Sequence, residues 1–182
     1  MRALEVEETV KIPENVNIQV DGRVVTISGE KGKLIRDFSH APLTIHKEEK
    51  SLRIRTDWPR KKEAAIIGTV SSHIRNMITG VTKGYTHKLK IVFSHFPISV
   101  KVKDKEVLIE NFTGERSPRR AKIVGDVKVT VKADDVIVQG INLEDVSQTA
   151  ANIEQATKVK IKDPRVFLDG LYVYERLEGI EA

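Results

Sequence analysis

The chain of 182 residues contains no cysteine. That excludes disulfides and rules out a thiolate as nucleophile or metal ligand. It fits an intracellular address, and together with the high charge it fits a thermophile. Long apolar runs are also absent. None approaches the ~20 residues that a membrane-spanning helix needs. The opening "MRALEVEETV" carries charges where a secretory leader needs an apolar stretch, so no leader or membrane segment is expected.

Catalytic patterns are missing too. The five histidines (His40, His46, His73, His87 and His95) show no metal-ligand spacing. His73 lies in a helical stretch but has Met77 four residues on, where a second ligand would be needed. No Gly-x-Ser-x-Gly elbow and no phosphate loop with Gly-Lys-Ser/Thr occurs. "GEKGK", Gly29 to Lys33, lacks that spacing and opens no helix, so it reads as a turn between strands. The carboxylates are scattered, often beside Lys or Arg, and no pair stands out. Neither an enzyme nor a bound metal or organic cofactor is expected, and no small-molecule substrate.

What the chain does have is charge and alternation. Charged residues make up 31% and hydrophobic residues 40%, with a net charge of +5 and a pI of about 9.3. The length suits one domain or two small ones. The charge suits an anionic partner, nucleic acid or a membrane surface, although an ordinary basic protein would show the same balance.

A weak internal repeat organises the sequence. "VNIQVDGRVVTIS" and "ISVKVKDKEVLIE" are both alternating runs around a short polar turn, the pattern of a β-hairpin. Val20, Val25 and Ile27 match Val102, Val107 and Ile109 at an offset of 82. "LTIHKEEKSLRIR" and "VKVTVKADDVIVQ" form a second pair, with Ile45, Leu52 and Ile54 matching Val129, Val136 and Val138 at an offset of 84. A helix follows in each half. The first is expected from about Pro59 to Ile78, capped by Thr56 or Asp57 and followed by Gly80. The second is expected from about Leu143 to Thr157, capped by Asn142. Ile74 and Ile153, 79 residues apart, take equivalent places. The expected fold is α+β: two tandem copies of a small, mostly antiparallel sheet covered by one helix. Residues 1–82 form the first and 83–182 the second, with the junction near "GVTKG".

Counting charge by halves misleads. Residues 1–93 hold 17 Lys/Arg and 11 Asp/Glu, whereas residues 94–182 hold 14 and 15. Local clusters say more. "RSPRRAK" places Arg116, Arg119, Arg120 and Lys122 in the long loop between the second half's hairpins. Guanidinium forks and an ammonium there suit phosphates, the alternative being a merely solvated loop. In "KVKIKDPR", an extended backbone would put Lys158, Lys160 and Lys162 on one face and Val159 and Ile161 on the other. Arg165 extends that stripe. The chain then reaches Phe167, a turn at Asp169-Gly170, and Tyr172 and Tyr174. Basic residues beside aromatics suit RNA, with its phosphates and stacking bases. Phe167 reads first as packing. Phosphates would repel Asp169, which therefore accepts from a base or ribose hydroxyl or stabilises its own turn. A third cluster, "PRKK" from Pro59 to Lys62, opposes the dipole of the helix it opens, so either an anion lies nearby or the cations are simply exposed.

The span from Gln155 to Arg176 resembles the C-terminal motif of the large-subunit ribosomal protein L-six family, in the archaeal and eukaryotic branch whose eukaryotic member is called L-nine. The residues that carry the likeness are Gln155, Val159, Lys162, Arg165, Phe167, Asp169, Gly170, Leu171, Tyr172, Val173 and Arg176. "VKIPENVNIQVDGRVVTISGEKGKLIRDF" resembles the family's N-terminal start, and "NMITGVTKGY" its mid-chain junction. The short stretch after Arg176 is closer to archaeal members. The resemblance implies a non-catalytic, cytoplasmic protein of the large subunit that binds ribosomal RNA chiefly through its second domain. It further implies a site near the sarcin-ricin loop and the stalk base, beside neighbouring ribosomal proteins and the translational GTPases. Asp169, Gly170, Tyr172 and Arg176 would join the basic clusters at that contact. A free-standing RNA-binding regulator would show the same clusters and is the alternative.

Overall fold

Each of two helices covers a pair of small antiparallel sheets. The computed structural model describes residues 4–160, 163 and 165–180. The chain divides into two compact units, Met1–Lys83 and Gly84–Ala182. The first contains strands β1 (Glu5–Lys11), β2 (Asn17–Asp21), β3 (Val24–Gly29), β4 (Gly32–Asp37), β5 (Thr44–Lys47) and β6 (Ser51–Asp57), followed by helix α1 (Lys61–Thr82). They form sheets ordered β1-β6-β5 and β2-β3-β4. The second contains β7 (Tyr85–Val92), β8 (Ser99–Lys103), β9 (Glu106–Glu110), β10 (Arg119–Lys122), β11 (Lys128–Lys132) and β12 (Asp135–Gly140), then α2 (Leu143–Ala156) and β13 (Gly170–Glu178). Its sheets run β11-β12-β7-β13 and β8-β9-β10.

The repeat reaches down to strand register. Val20 faces Val25 and Val102 faces Val107. Ile45 faces Ile54 and Val129 faces Val138. Alternation explains the layering. In β6 the buried residues are Leu52, Ile54 and Thr56, and in β12 they are Val136, Val138 and the closing Gly140. These sides meet the helices: Ile67, Val70, Ile74 and Val81 of α1 in one core, Val146, Ala150 and Ile153 of α2 in the other. Ile74 and Ile153 are both fully buried.

The unit is richer than two hairpins and a helix. A leading strand, β1 or β7, joins the second hairpin, and a third strand, β4 or β10, joins the first. β13 adds a fourth strand to one sheet of the second unit. "GEKGK" does turn between β3 and β4, and it packs on the end of α1. Lys31 donates its amide to the Val81 carbonyl at 3.0 Å. A Cβ at Gly29 would stand 2.8 Å from that same carbonyl, so only glycine fits there.

Helix boundaries show where local signals were overridden. Asn142 caps α2, accepting the Glu144 amide at 3.2 Å, and Glu144 and Asp145 in the first turn suit the dipole. For α1, neither Thr56 nor Asp57 is free to cap. Thr56 is buried and donates to the Pro42 carbonyl at 2.9 Å, while Asp57 is held by Arg55 at 2.8 Å. The cap falls to Arg60, whose amide donates to Glu63 at 2.6 Å. At the other end Gly80 lies inside the helix, which runs on to Thr82.

One buried histidine makes the second unit sensitive to pH. His87 on β7 is only 5% exposed. Burial first, and the Arg176 charge second, push its imidazole below the ordinary value of 6.5. The folded unit keeps His87 neutral where the unfolded chain protonates it, so unfolding takes up a proton as pH falls below about 6.5. Stability that is present above that pH is lost below it. The chain's tyrosines, Tyr85, Tyr172 and Tyr174, all lie in this unit and report on it by near-UV circular dichroism. Their melting temperature is expected to be level above about pH 7 and to fall between about pH 6.5 and pH 5. His87→Gln is expected to flatten that fall.

Candidate nucleic-acid interface

The two basic clusters of the second unit meet at one groove. It encloses about 540 Å³, and its lining includes Phe112, Glu115, Arg119, Arg120, Lys158 and Lys160. One wall is a short 3-10 turn, Phe112–Gly114, with the start of β10. The other is the end of α2 and the segment that leaves it.

Arg119 joins the walls. Its Nε and Nη2 donate to the two Glu115 carboxylate oxygens at 2.9 and 2.6 Å. Its Nη1 donates to the Ala156 carbonyl at 2.8 Å and reaches the Lys158 carbonyl at 3.4 Å. The guanidinium lies over the Phe112 ring, 4.3 Å from its centre. It thereby satisfies an orphan carbonyl at the end of α2 and places positive charge where the dipole is negative. Hydrogen bonds from Arg119 hold the Glu115 carboxyl below the usual carboxylate range. Arg119, expected to seek phosphate, is therefore committed internally. The "RSPRRAK" loop is corrected as well, because its second half is β10, paired along β9.

The remaining cations differ. Arg120 lies on the opposite side of β10 from Arg119, with its side chain 70% exposed and Glu106 no closer than 3.9 Å. Lys158 and Lys160 are exposed and carry no ion pair among the described residues, while Val159 between them packs on the core. The alternation expected of this segment holds for these three residues. Residues 158–160 are not part of a strand. Lys162, like Ile161 and Pro164, lies outside the described residues. Among the described residues Arg116 is exposed without an ion-pair partner, and so is Lys122, whose carbonyl accepts from Asn152 at 2.9 Å.

From Arg165 on, the described residues of the C-terminal motif do not line the groove. Arg165 is 89% exposed in its side chain and pairs with Asp163 at 3.1 Å. Tyr172 and Arg176 are exposed on β13. Asp169 and Gly170 do not form the expected turn. Gly170 opens β13, is buried, and has no positive φ. The Tyr172 ring occupies the space beside it, 3.1 Å from where a Cβ would stand.

Asp169 is 1% exposed and out of reach of RNA. It accepts from the Ser94 amide at 2.7 Å and hydroxyl at 2.9 Å, with His95 Nδ1 at 3.3 Å. Burial raises its pKa, but the Ser94 and His95 contacts outweigh that and leave it below the usual range. Its role is to fasten the motif to the loop after β7, where His95 stacks on Phe167 with centres 4.7 Å apart. Sequence reasoning missed Ser94, His95, Phe112 and Glu115. Only Glu115 left a signal, its four-residue spacing from Arg119.

Among the described residues no group of His, Asp or Glu could hold a metal, and no helix is long and apolar enough to cross a membrane. Replacing Arg119 tests the groove's construction. Arg119→Lys keeps the charge but loses the fork and the stacking. It is expected to weaken the last turn of α2 and β10 by about 2 kcal/mol, read as a ~30-fold loss of amide-exchange protection there. Arg116→Ala is expected to change protection by less than about twofold.

Known proteins resemble the chain along nearly its whole length. The chain is 52% identical over 182 residues to the large ribosomal subunit protein uL6 of Desulfurococcus amylolyticus, covering 98% of this chain and 99% of that one. It is 54% identical over 172 residues to that of Staphylothermus marinus, covering 92% and 93%. With that of Methanosphaera stadtmanae it shares 50% over 177 residues, covering 97% and 96%. The family described as Ribosomal protein L6 matches twice, over residues 12–84 and 96–170, once in each unit. The chain therefore belongs to the ribosomal protein L6 family.

Proposed function

We propose that this chain, a non-catalytic structural protein of the large ribosomal subunit, grips large-subunit ribosomal RNA through the groove of its second unit. The site on the RNA is near the sarcin-ricin loop and the stalk base, among neighbouring ribosomal proteins and where translational GTPases act. The location rests on the likeness of the C-terminal motif to the family's. The groove as the contact rests on one observation: Lys158 and Lys160 line it with no ion-pair partner among the described residues, on walls that Arg119 holds fixed, with the exposed Arg120, 3.9 Å from Glu106, at its edge. Fixed walls bring cations to phosphates with little ordering left to do on binding. Arg120 offers a planar fork, and the two lysines offer point charges. Arg116 and Lys122 extend the positive surface, and Arg165, Tyr172 and Arg176 form a further set on and before β13.

Each cation that neutralises a phosphate releases counterions, so the contact can be counted. In a salt titration against a large-subunit RNA fragment, Arg120→Ala/Lys158→Ala/Lys160→Ala is expected to flatten the log-log slope by about two to three. An unchanged slope would move the contact elsewhere. Because the chain has no cysteine, Lys158→Cys provides a unique site for a photoreactive probe. Cross-links in the sarcin-ricin segment are expected.

A further inference from the structure

The first unit is the more basic one. Residues 1–83 hold 15 Lys/Arg and 11 Asp/Glu, net +4 of the chain's +5. Many of those cations are engaged within the unit. Arg53 is held by Glu7 and Glu48, Arg55 by Glu5 and Asp57, and Arg75 approaches Glu8. Lys47 and Arg23 donate to the carbonyls of Ile18 and Ser39. One consecutive run is left over. Arg60, Lys61 and Lys62 are exposed, and none has an ion-pair partner among the described residues. The acids beside them are taken, Asp57 by Arg55 and Glu63 by the Arg60 amide.

Next to this run stands Trp58, the chain's only tryptophan, 62% exposed. Its backbone holds a φ of +51°, a region that bulky side chains avoid. Its amide donates to the Leu4 carbonyl at 2.8 Å, and Pro59 after it is buried, so the segment is pinned on both sides. A large flat ring thus stands at the surface within four residues of three uncompensated cations. The cations also oppose the dipole of the helix they open, which a bound anion would relieve.

A nucleotide offers both complements at once, a π face for the indole and a phosphate for the cations. Bases within a helix have their faces covered, so the matching form is single-stranded. We infer that Trp58 with Arg60, Lys61 and Lys62 forms a second RNA contact, in which the indole stacks on an unpaired base and the cations hold flanking phosphates. The inference takes RNA as the ligand from the reading above and makes no use of the groove.

Trp58 is its own reporter. The full chain is titrated with a single-stranded oligoribonucleotide of mixed sequence while tryptophan emission is followed. Saturable quenching is expected, weakening with salt at a log-log slope of about two. It is expected to persist in the Arg120→Ala/Lys158→Ala/Lys160→Ala chain. Lys61→Glu/Lys62→Glu suits the helix start and so preserves the fold while reversing the charge. It is expected to weaken the quenching at least tenfold. Unchanged emission while the chain binds RNA through its groove would overturn this inference and leave the groove standing. Quenching that disappears with the groove cations would overturn it too. So would equal quenching by polyglutamate, which would mark the surface as one for acidic protein instead.

Discussion

The second unit's surface depends on the Arg119 guanidinium. It touches the 3-10 turn through Phe112, the loop through Glu115, and the end of α2 through the Ala156 carbonyl. Lysine could not replace it, since no single ammonium offers a fork for a carboxylate, further donors for carbonyls and a flat face for a ring. Its own phosphate affinity is given up in the process. The adjacent Arg120 points to the opposite side of the same strand and stays exposed. Strand alternation thus divides two neighbouring arginines between holding the groove and standing exposed on the other face of the sheet.

How much of this was legible in the sequence depended on how local each signal was. The hairpins and their registers were legible because alternation around a polar turn is written into consecutive residues, as the Val20–Val25 and Val102–Val107 pairs show. The third strand, β10, was hidden because Arg119, Arg120 and Lys122 fill three of its four positions and only Ala121 is buried. Asp169-Gly170 failed for a deeper reason. Asp-Gly is a turn signal taken alone. Here one carboxylate oxygen is held by Ser94, 75 residues away in sequence, and the other faces His95. No window around position 169 contains that partner. The clusters themselves were visible, but their meeting at one groove was not, since nothing local brings residue 119 beside residue 158.

Ion pairing matters here less for stability than for sorting. Exposed pairs such as Arg53 with Glu7 or Lys101 with Glu110 contribute little free energy each. They do cancel charge locally. Residues 84–182 hold 16 Lys/Arg and 15 Asp/Glu, almost neutral in sum. Yet Glu115 is consumed by Arg119 and Glu175 by Lys88, so these acids do not offset Lys158 and Lys160. A net charge near zero therefore coexists with a basic groove, which is why counting by halves pointed away from it. The same subtraction isolates Arg60 to Lys62 in the first unit, where the total is higher but the uncompensated run is equally short. In both units the bare cations lie beside a terminus of the unit's helix, after the end of α2 in one and before the start of α1 in the other. The buried repeat fixes the helices and sheets alike, while segments outside the paired strands are free to differ. Two copies of one fold can therefore present cations at opposite helix ends without disturbing the core they share in design.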